Sequence, residues 1–303
     1  MTSLRIGTRG SPLALWQAHH VSGLLRAFFP GVRLELVEIQ TVGDQVRDVP
    51  LGQLGGDGVF TKAIQQALQE NRVDIAVHSL KDLPTFTVAN VVLAAVPARG
   101  PAGDALIAKK HRSFRELPAG AIVGSSSLRR RAQILYRRPD VKLVDMRGNV
   151  ETRLRKLLDA DLDAIILAQA GLERLSLGEH ITEILDTSWM LPAVGQGALG
   201  LECRSEDART RSLLEKINDP ATHRAVLAER ALLRTLGGGC QVPIGALTSV
   251  RGDQLTLRGV VLSPNGRERV EGEVTRSLEE PETVGRLLAE NLLARGARQI
   301  LEC

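Results

Sequence analysis

Two hydrophobic periods alternate along this chain. Residues 3–7 and 34–42 read as short strands, and between them Leu13, Leu15, Trp16, Val21 and Leu24 fall on a helical repeat. Residues 43–58 are rich in Gly and Asp and read as a long loop. From Phe60 to Asn71 the pattern is helical, with Ile64, Ala67 and Leu68 on one face. VDIAVHS (73–79) reads as a strand that stops at LKDLP (80–84). Strands alternating with helices predict an α/β region with a mainly parallel sheet.

ARGPAGDA (98–105) has the Gly and Pro content of a crossover, and a second α/β pattern follows it. AIVG (121–124), VKLVDM (141–146) and DAIILAQ (163–169) read as strands. SLRRRAQILYRR (127–138) and VETRLRKLLDA (150–160) read as helices. LPAVGQGALGLEC (191–203) is a second Pro/Gly passage, ending in a strand. Two crossings predict two hinged lobes with a cleft. After NDP (218–220) the pattern changes to a helix over 223–236, three strand-like runs between 244 and 275, and a helix over 282–296. That is a small α+β domain.

Length and charge set the class. At 303 residues the chain exceeds one comfortable core. With 43% hydrophobic and 24% charged residues it is neither disordered nor low in complexity. No apolar run is long enough for a membrane span, and Arg5 and Arg9 interrupt the start where a signal peptide needs apolar residues. A cytoplasmic location and no membrane partner are therefore expected. The net charge of +4 is mild, and aromatic residues are 3% of the chain, so nucleic acid is not an expected partner. The cations are lopsided, with 32 arginines against 7 lysines. Arginine presents a planar fork to carboxylate or phosphate, which lysine does not. Three cysteines without CxxC spacing, and histidines without HExxH, argue against a disulfide scaffold and a metal site.

Five strand ends carry candidate chemistry. Lys81 and Asp82 follow the strand VDIAVHS, where ligands of open α/β sheets bind. The same residues also suit a solvated turn. GSSSLRRRAQ (124–133) sets serines before a helix whose first turn holds Arg129, Arg130 and Arg131. Cations there oppose the helix dipole, and a bound anion would offset that cost. Plain Ser capping with exposed arginines is the alternative. DMRGNVETRL repeats the device with Arg147, Gly148, Asn149 as N-cap, and Arg153, and Arg174 follows the next strand. GTRGSPLALWQ places Arg9, Ser11 and Gln17 after the first strand. GGGCQVP (237–243) leaves the Cys240 thiol sterically open, as a covalent anchor or as an incidental thiol at a helix exit. Cys203 ends an apolar strand and reads as inert.

Taken in order, GTRGSPLALWQ, HSLKDLP, GSSSLRRRAQ, DMRGNVETRL, AIILAQAGLERL, PAVGQGALGLECR and GGGCQVPIGA resemble the porphobilinogen deaminase (hydroxymethylbilane synthase) family. The resemblance spans residues 7–246. It implies two hinged lobes like those of type II periplasmic binding proteins plus a small C-terminal domain. The implied boundaries are 1–98 with 198–217, 103–192, and 220–303. It implies a dipyrromethane cofactor held as a thioether by Cys240. It also implies head-to-tail condensation of four porphobilinogen molecules with loss of ammonia.

By the same resemblance, Asp82 is the catalytic carboxylate, stabilising the azafulvene-like cation left when ammonia departs. Arg9, Arg129, Arg130, Arg147, Arg153 and Arg174 match positions that bind the acetate and propionate groups or the cofactor. Ser79, Ser125 and Ser127 assist, Lys81 contacts cofactor carboxylates, and Gln17 and Gln196 are polar positions of the cleft and hinge. Ser11, Gly148 and Asn149 join the site through their motifs. The family also implies a monomer.

Two departures stand out: Gln53 and Asp57 where many relatives carry loop lysines, and GSSS where GTSS is common. Two rival readings fit the same residues. One is an anion-binding protein without catalysis, which gives GGGC no use. The other is an RNA-associated protein, which the scarcity of aromatics disfavours.

Overall fold

The computed structural model describes residues 3–45, 58–238 and 242–302. The chain opens with β1 (Ser3–Thr8), α1 (Pro12–Phe28), β2 (Arg33–Glu38), the single turn α2 (Val42–Gln45), α3 (Lys62–Gln69) and β3 (Ile75–Ser79). A 3-10 turn (Leu80–Asp82) and β4 (Val91–Ala95) follow. Next come β5 (Asp104–Ala108), β6 (Ile122–Gly124), α4 (Leu128–Arg137), β7 (Lys142–Val144) and α5 (Val150–Asp159). β8 (Ala164–Ala168), α6 (Gln169–Arg174) and β9 (Glu183–Ile184) complete that region. β10 (Leu199–Arg204), α7 (Ala208–Glu215) and α8 (Pro220–Thr235) come before β11 (Ile244–Arg251), β12 (Gln254–Leu262) and β13 (Arg269–Ser277). The last helices are α9 (Pro281–Ala294) and α10 (Ala297–Glu302).

The chain divides into two compact units, Met1–Gly100 with Ala198–His223, and Pro101–Gly197 with Arg224–Cys303. The first holds a five-stranded sheet of order β2-β1-β3-β10-β4. β1 pairs parallel with β2 and β3, whereas β10 runs against both β3 and β4. β4 thus points the same way as β1–β3, and one strand is reversed. Helix α1 packs on this sheet through Ala18, Val21 and Leu25, against Leu4, Ile6, Ile75 and Val77. Ser11 caps it by accepting the Ala14 N–H, and Pro12 at its start has no N–H to leave unsatisfied.

The second unit repeats the plan with the order β7-β6-β8-β5-β9, in which β5 is the reversed strand. It also contains the antiparallel sheet β11-β12-β13. Within this unit the two sheet regions share apolar packing between Ala132 of α4, Leu191, Val260 and Leu262. Helices α8 and α9 cover the three-stranded sheet, with Leu232, Leu288 and Leu292 in its core. Gly285 of α9 lies so close to the Ala228 carbonyl of α8 that a side chain there has no room.

The mainly parallel character expected from the pattern therefore holds with one exception per sheet. Each reversed strand is the first after a crossing, β5 on the way out and β10 on the way back. The stretch 43–58 read as loop begins with the helical turn α2, and residues 46–57 lie outside the described residues. β4, α6, α7, β9 and α10 were not read from the pattern at all.

Candidate active site

The end of β3 is held on two sides. Gln17 of α1, 2% exposed, donates its Nε2–H to Ser79 Oγ at 2.7 Å. The Leu80 N–H donates to the Ala198 carbonyl at 3.0 Å, and Leu83 N–H closes the 3-10 turn onto Leu80. Leu80, Leu83 and Pro84 are buried, so the turn is anchored by apolar contacts at both ends while Lys81 and Asp82 stay half-buried. Among the described residues none donates a hydrogen bond to the Asp82 carboxylate. A carboxylate carried on a fixed turn, with no donor among the described residues, is suited to pair with a cation or with N–H donors.

Arg9, at the end of β1, is engaged by a carboxylate of the chain itself. Its Nε lies 3.2 Å from both Asp44 oxygens, and its guanidinium stacks over Phe60 at 4.1 Å. Burial alone would raise the Asp44 pKa, but hydrogen bonds from Arg9 and Thr41 hold it below the usual carboxylate range.

In the second unit, Arg129 and Arg130 of α4 turn inward onto Asp104, the first residue of β5. Asp104 is fully buried, and the two arginines are 4% and 6% exposed. Arg129 Nη1 donates to Asp104 Oδ2 at 2.7 Å and to the Leu191 carbonyl at 2.7 Å. Arg130 donates through Nη2 at 2.7 Å and Nε at 2.9 Å to Asp104 Oδ1, and through Nη1 to the Ile166 carbonyl. Gln196 Nε2 adds a bond to Asp104 Oδ1 at 2.9 Å and reaches the Ala102 and Gly103 carbonyls. Burial would push the Asp104 pKa up. The two guanidinium charges, with hydrogen bonds from Arg129 and Gln196, hold it far below the usual range. Burial pulls the Arg129 pKa down, and Arg130 beside it adds to that, against the opposing pull of Asp104. Two cations on one carboxylate leave an excess positive charge buried at the start of α4, where the helix dipole has the same sign.

The serines before α4 have separate tasks. Ser125 is buried and its Oγ accepts the Ser127 N–H at 3.4 Å, while Ser127 caps α4 at the Arg130 N–H. Ser126, which the sequence reading passed over, exchanges hydrogen bonds with the Met146 N–H (2.7 Å) and carbonyl (2.9 Å). It ties the loop before α4 to the loop before α5. There Gly148 has φ +113°, and a side chain would strike Thr152, so glycine is required. Asn149 caps α5 at the Thr152 N–H (2.8 Å), and Arg153 Nε bonds back to the Gly148 carbonyl (2.8 Å). The half-buried Arg147 stands at the mouth of this loop. Arg174, at the end of α6, donates to the Gly197 carbonyl at 2.6 Å, and burial lowers its pKa.

Cys240, Gln53 and Asp57 lie outside the described residues. Gly238 lies close to the side-chain ends of Leu233, Val242 and Ile244, which would have to shift to admit a Cβ there. Cys203 is buried on β10 and its thiol is pushed up to about 11, chiefly by desolvation, so it is not a nucleophile. Among the described residues no group of His, Cys, Asp or Glu is placed to hold a metal ion, and no helix is long and apolar enough to cross a membrane. Asp104, Asp44, Phe60 and Ser126 are the site residues that sequence reasoning missed.

Fold and site define an α/β protein of two sheet lobes and a small extra sheet domain, with arginines clustered at strand and helix ends. Residues 4–212 match the family model described as porphobilinogen deaminase, dipyromethane cofactor binding domain, and residues 223–294 match that of the porphobilinogen deaminase C-terminal domain. A porphobilinogen deaminase of Syntrophotalea carbinolica is 50% identical over 99% of this chain and 95% of that protein. One of Acidithiobacillus ferrooxidans is 49% identical over 99% of this chain and 97% of that protein. A periplasmic substrate-binding protein of Coxiella burnetii is similar at 14% identity and a TM-score of 0.45, over 75% of this chain and 96% of that one. The chain belongs to the porphobilinogen deaminase family of enzymes.

Proposed function

We propose that this chain condenses four porphobilinogen molecules head to tail onto a dipyrromethane primer carried by Cys240, with Asp82 as the catalytic carboxylate. The observation that carries the reading is the turn at the end of β3, pinned through Leu80 and Ser79 and presenting Asp82 without a described donor. The donor set fits the primer. Arg147, Arg153, Arg174 and Lys81 provide cations for its acetate and propionate groups, and Ser125 and Ser127 stand at the α4 terminus beside the excess positive charge. When bound, the primer supplies a pyrrole α-carbon as nucleophile.

Each addition breaks the C–N bond of the substrate aminomethyl group, releases ammonia, forms a C–C bond and loses the α-proton of the attacked ring. Asp82 holds the substrate pyrrole N–H and stabilises the positive charge left as ammonia departs. It also assists the two proton movements. Arg129, Arg130 and Asp104 keep positive potential at the α4 end, where acidic groups accumulate as the product grows. Arg9 and its Asp44 partner lie at the end of β1, with Gln17 bracing Ser79. Ser11, Gly148, Asn149 and Gln196 shape the loops that carry these cations. Residues 1–98 with 198–217, 103–192, and 220–303 act as three domains, the last carrying the anchor. The enzyme works as a cytoplasmic monomer, with no nucleic-acid or membrane partner.

Cys240→Ser tests the anchor. Its oxygen is a poorer nucleophile than a thiolate and the residue is otherwise similar in size. The variant is expected to give no colour with Ehrlich's aldehyde reagent after denaturation, where the wild type turns pink. Equal colour in both would contradict the assignment.

A further inference from the structure

Glu229 of α8 is fully buried. Its Oε2 accepts the Gly195 N–H at 2.7 Å, and its Oε1 accepts the Thr248 hydroxyl at 2.7 Å and the Thr248 N–H at 3.3 Å. One side chain thus joins α8, the passage leading back to β10, and β11, all inside the second compact unit. Gly195 has φ +71°, a turn that leaves the following residue, Gln196, aimed at the carbonyls of Ala102 and Gly103 and at Asp104. Asp104 in turn holds Arg129 and Arg130. Two polar clusters, Thr248–Glu229–Gly195 and Gln196–Asp104–Arg129/Arg130, are thus joined through the single peptide step from Gly195 to Gln196.

Packing does not explain a carboxylate here. Ala225 and Leu232 share the buried face of α8 with Glu229, so an apolar residue would fit the surrounding cluster, but it would leave the Gly195 N–H and the Thr248 hydroxyl without this acceptor. We propose that Glu229 is a positioning residue for the reaction. It fixes the turn at Gly195 so that Gln196 holds Asp104, and through it the guanidinium pair, in register for the acidic ligand. The inference rests on the reading of Arg129 and Arg130 as serving that ligand.

The site uses both carboxylate oxygens as acceptors, and an amide offers only one. Glu229→Gln keeps size and therefore isolates this demand. Steady-state kinetics are measured on cofactor-loaded protein, with loading counted by denaturing mass. Glu229→Gln is expected to load fully and to lose about tenfold in kcat/KM. In a Gln196→Ala background the same change is expected to cost less than about threefold, because its route is already cut. An unchanged kcat/KM with only a lower Tm, or an equal loss in both backgrounds, overturns the proposal. If Glu229→Gln yields too little folded protein, Thr248→Val carries the same cycle. It removes only the orienting hydroxyl, with about a threefold loss expected and no loss overturning it. Arg129→Leu in the same assay keeps the two readings apart. Unchanged activity there defeats the reading of the arginine pair, whereas a silent Glu229→Gln beside an impaired Arg129→Leu defeats only the positioning role.

Discussion

Asp82→Asn is expected to give folded, cofactor-loaded protein whose turnover of porphobilinogen is about a thousandfold below wild type. The substitution keeps size and one acceptor oxygen but removes the negative charge. Two contributions disappear together: stabilisation of the cation formed as ammonia leaves, and a proton acceptor for the attacked ring. Each is of the order of a hundredfold or more in comparable sites, but one carboxylate supplies both and such effects do not multiply in full, so the expected thousandfold loss corresponds to about 4 kcal/mol of barrier. Folding is spared because the turn is held by the Leu80 N–H on Ala198 and by buried Leu80 and Leu83, none of which involves the carboxylate. Single-turnover release of ammonia measures the effect directly. Near-normal turnover would remove Asp82 from the reaction.

The second large effect is on stability. Asp104→Asn leaves two buried guanidinium groups facing each other without a counter-charge, and the amide cannot replace both accepting oxygens. Removing one partner of a buried charge cluster typically costs about 3–5 kcal/mol. The variant is expected to lose that much in urea unfolding at pH 7. The pH dependence follows from the depressed Asp104 pKa. In the unfolded chain an aspartate titrates near about 3.9. The carboxylate's contribution is therefore fully present above that pH and is lost only as pH falls toward the much lower folded-state value. The gap between wild type and Asp104→Asn should be constant from pH 8 to about 5 and narrow below about 4. A gap that instead closed between pH 7 and 5 would contradict the charge cluster.

The sequence made Asp82 legible because strand, turn and acid are adjacent in VDIAVHSLKDLP, and local order alone puts the acid at a strand end. Ser127 and Asn149 were legible for the same reason, since a cap acts within three residues of itself. Asp104 was not. It sits in a Gly/Pro crossover that reads as linker, and its partners are 25 and 26 positions away on α4. The direction in which Arg129 and Arg130 point was hidden with it, because a helical period gives a face and not a partner. Strand direction was hidden too, since β5 and β10 have the same apolar run whether they pair parallel or reversed. Helix α7 did carry a readable signal, Asp207 capping Thr210, that the apolar pattern around it was too weak to raise.

Denaturing intact mass of the purified wild-type chain tests the central claim most directly. The account predicts a resting excess equal to two linked pyrroles, absent from Cys240→Ser, with further single-pyrrole increments appearing when limiting porphobilinogen is added. A bare polypeptide mass before and after substrate would contradict it.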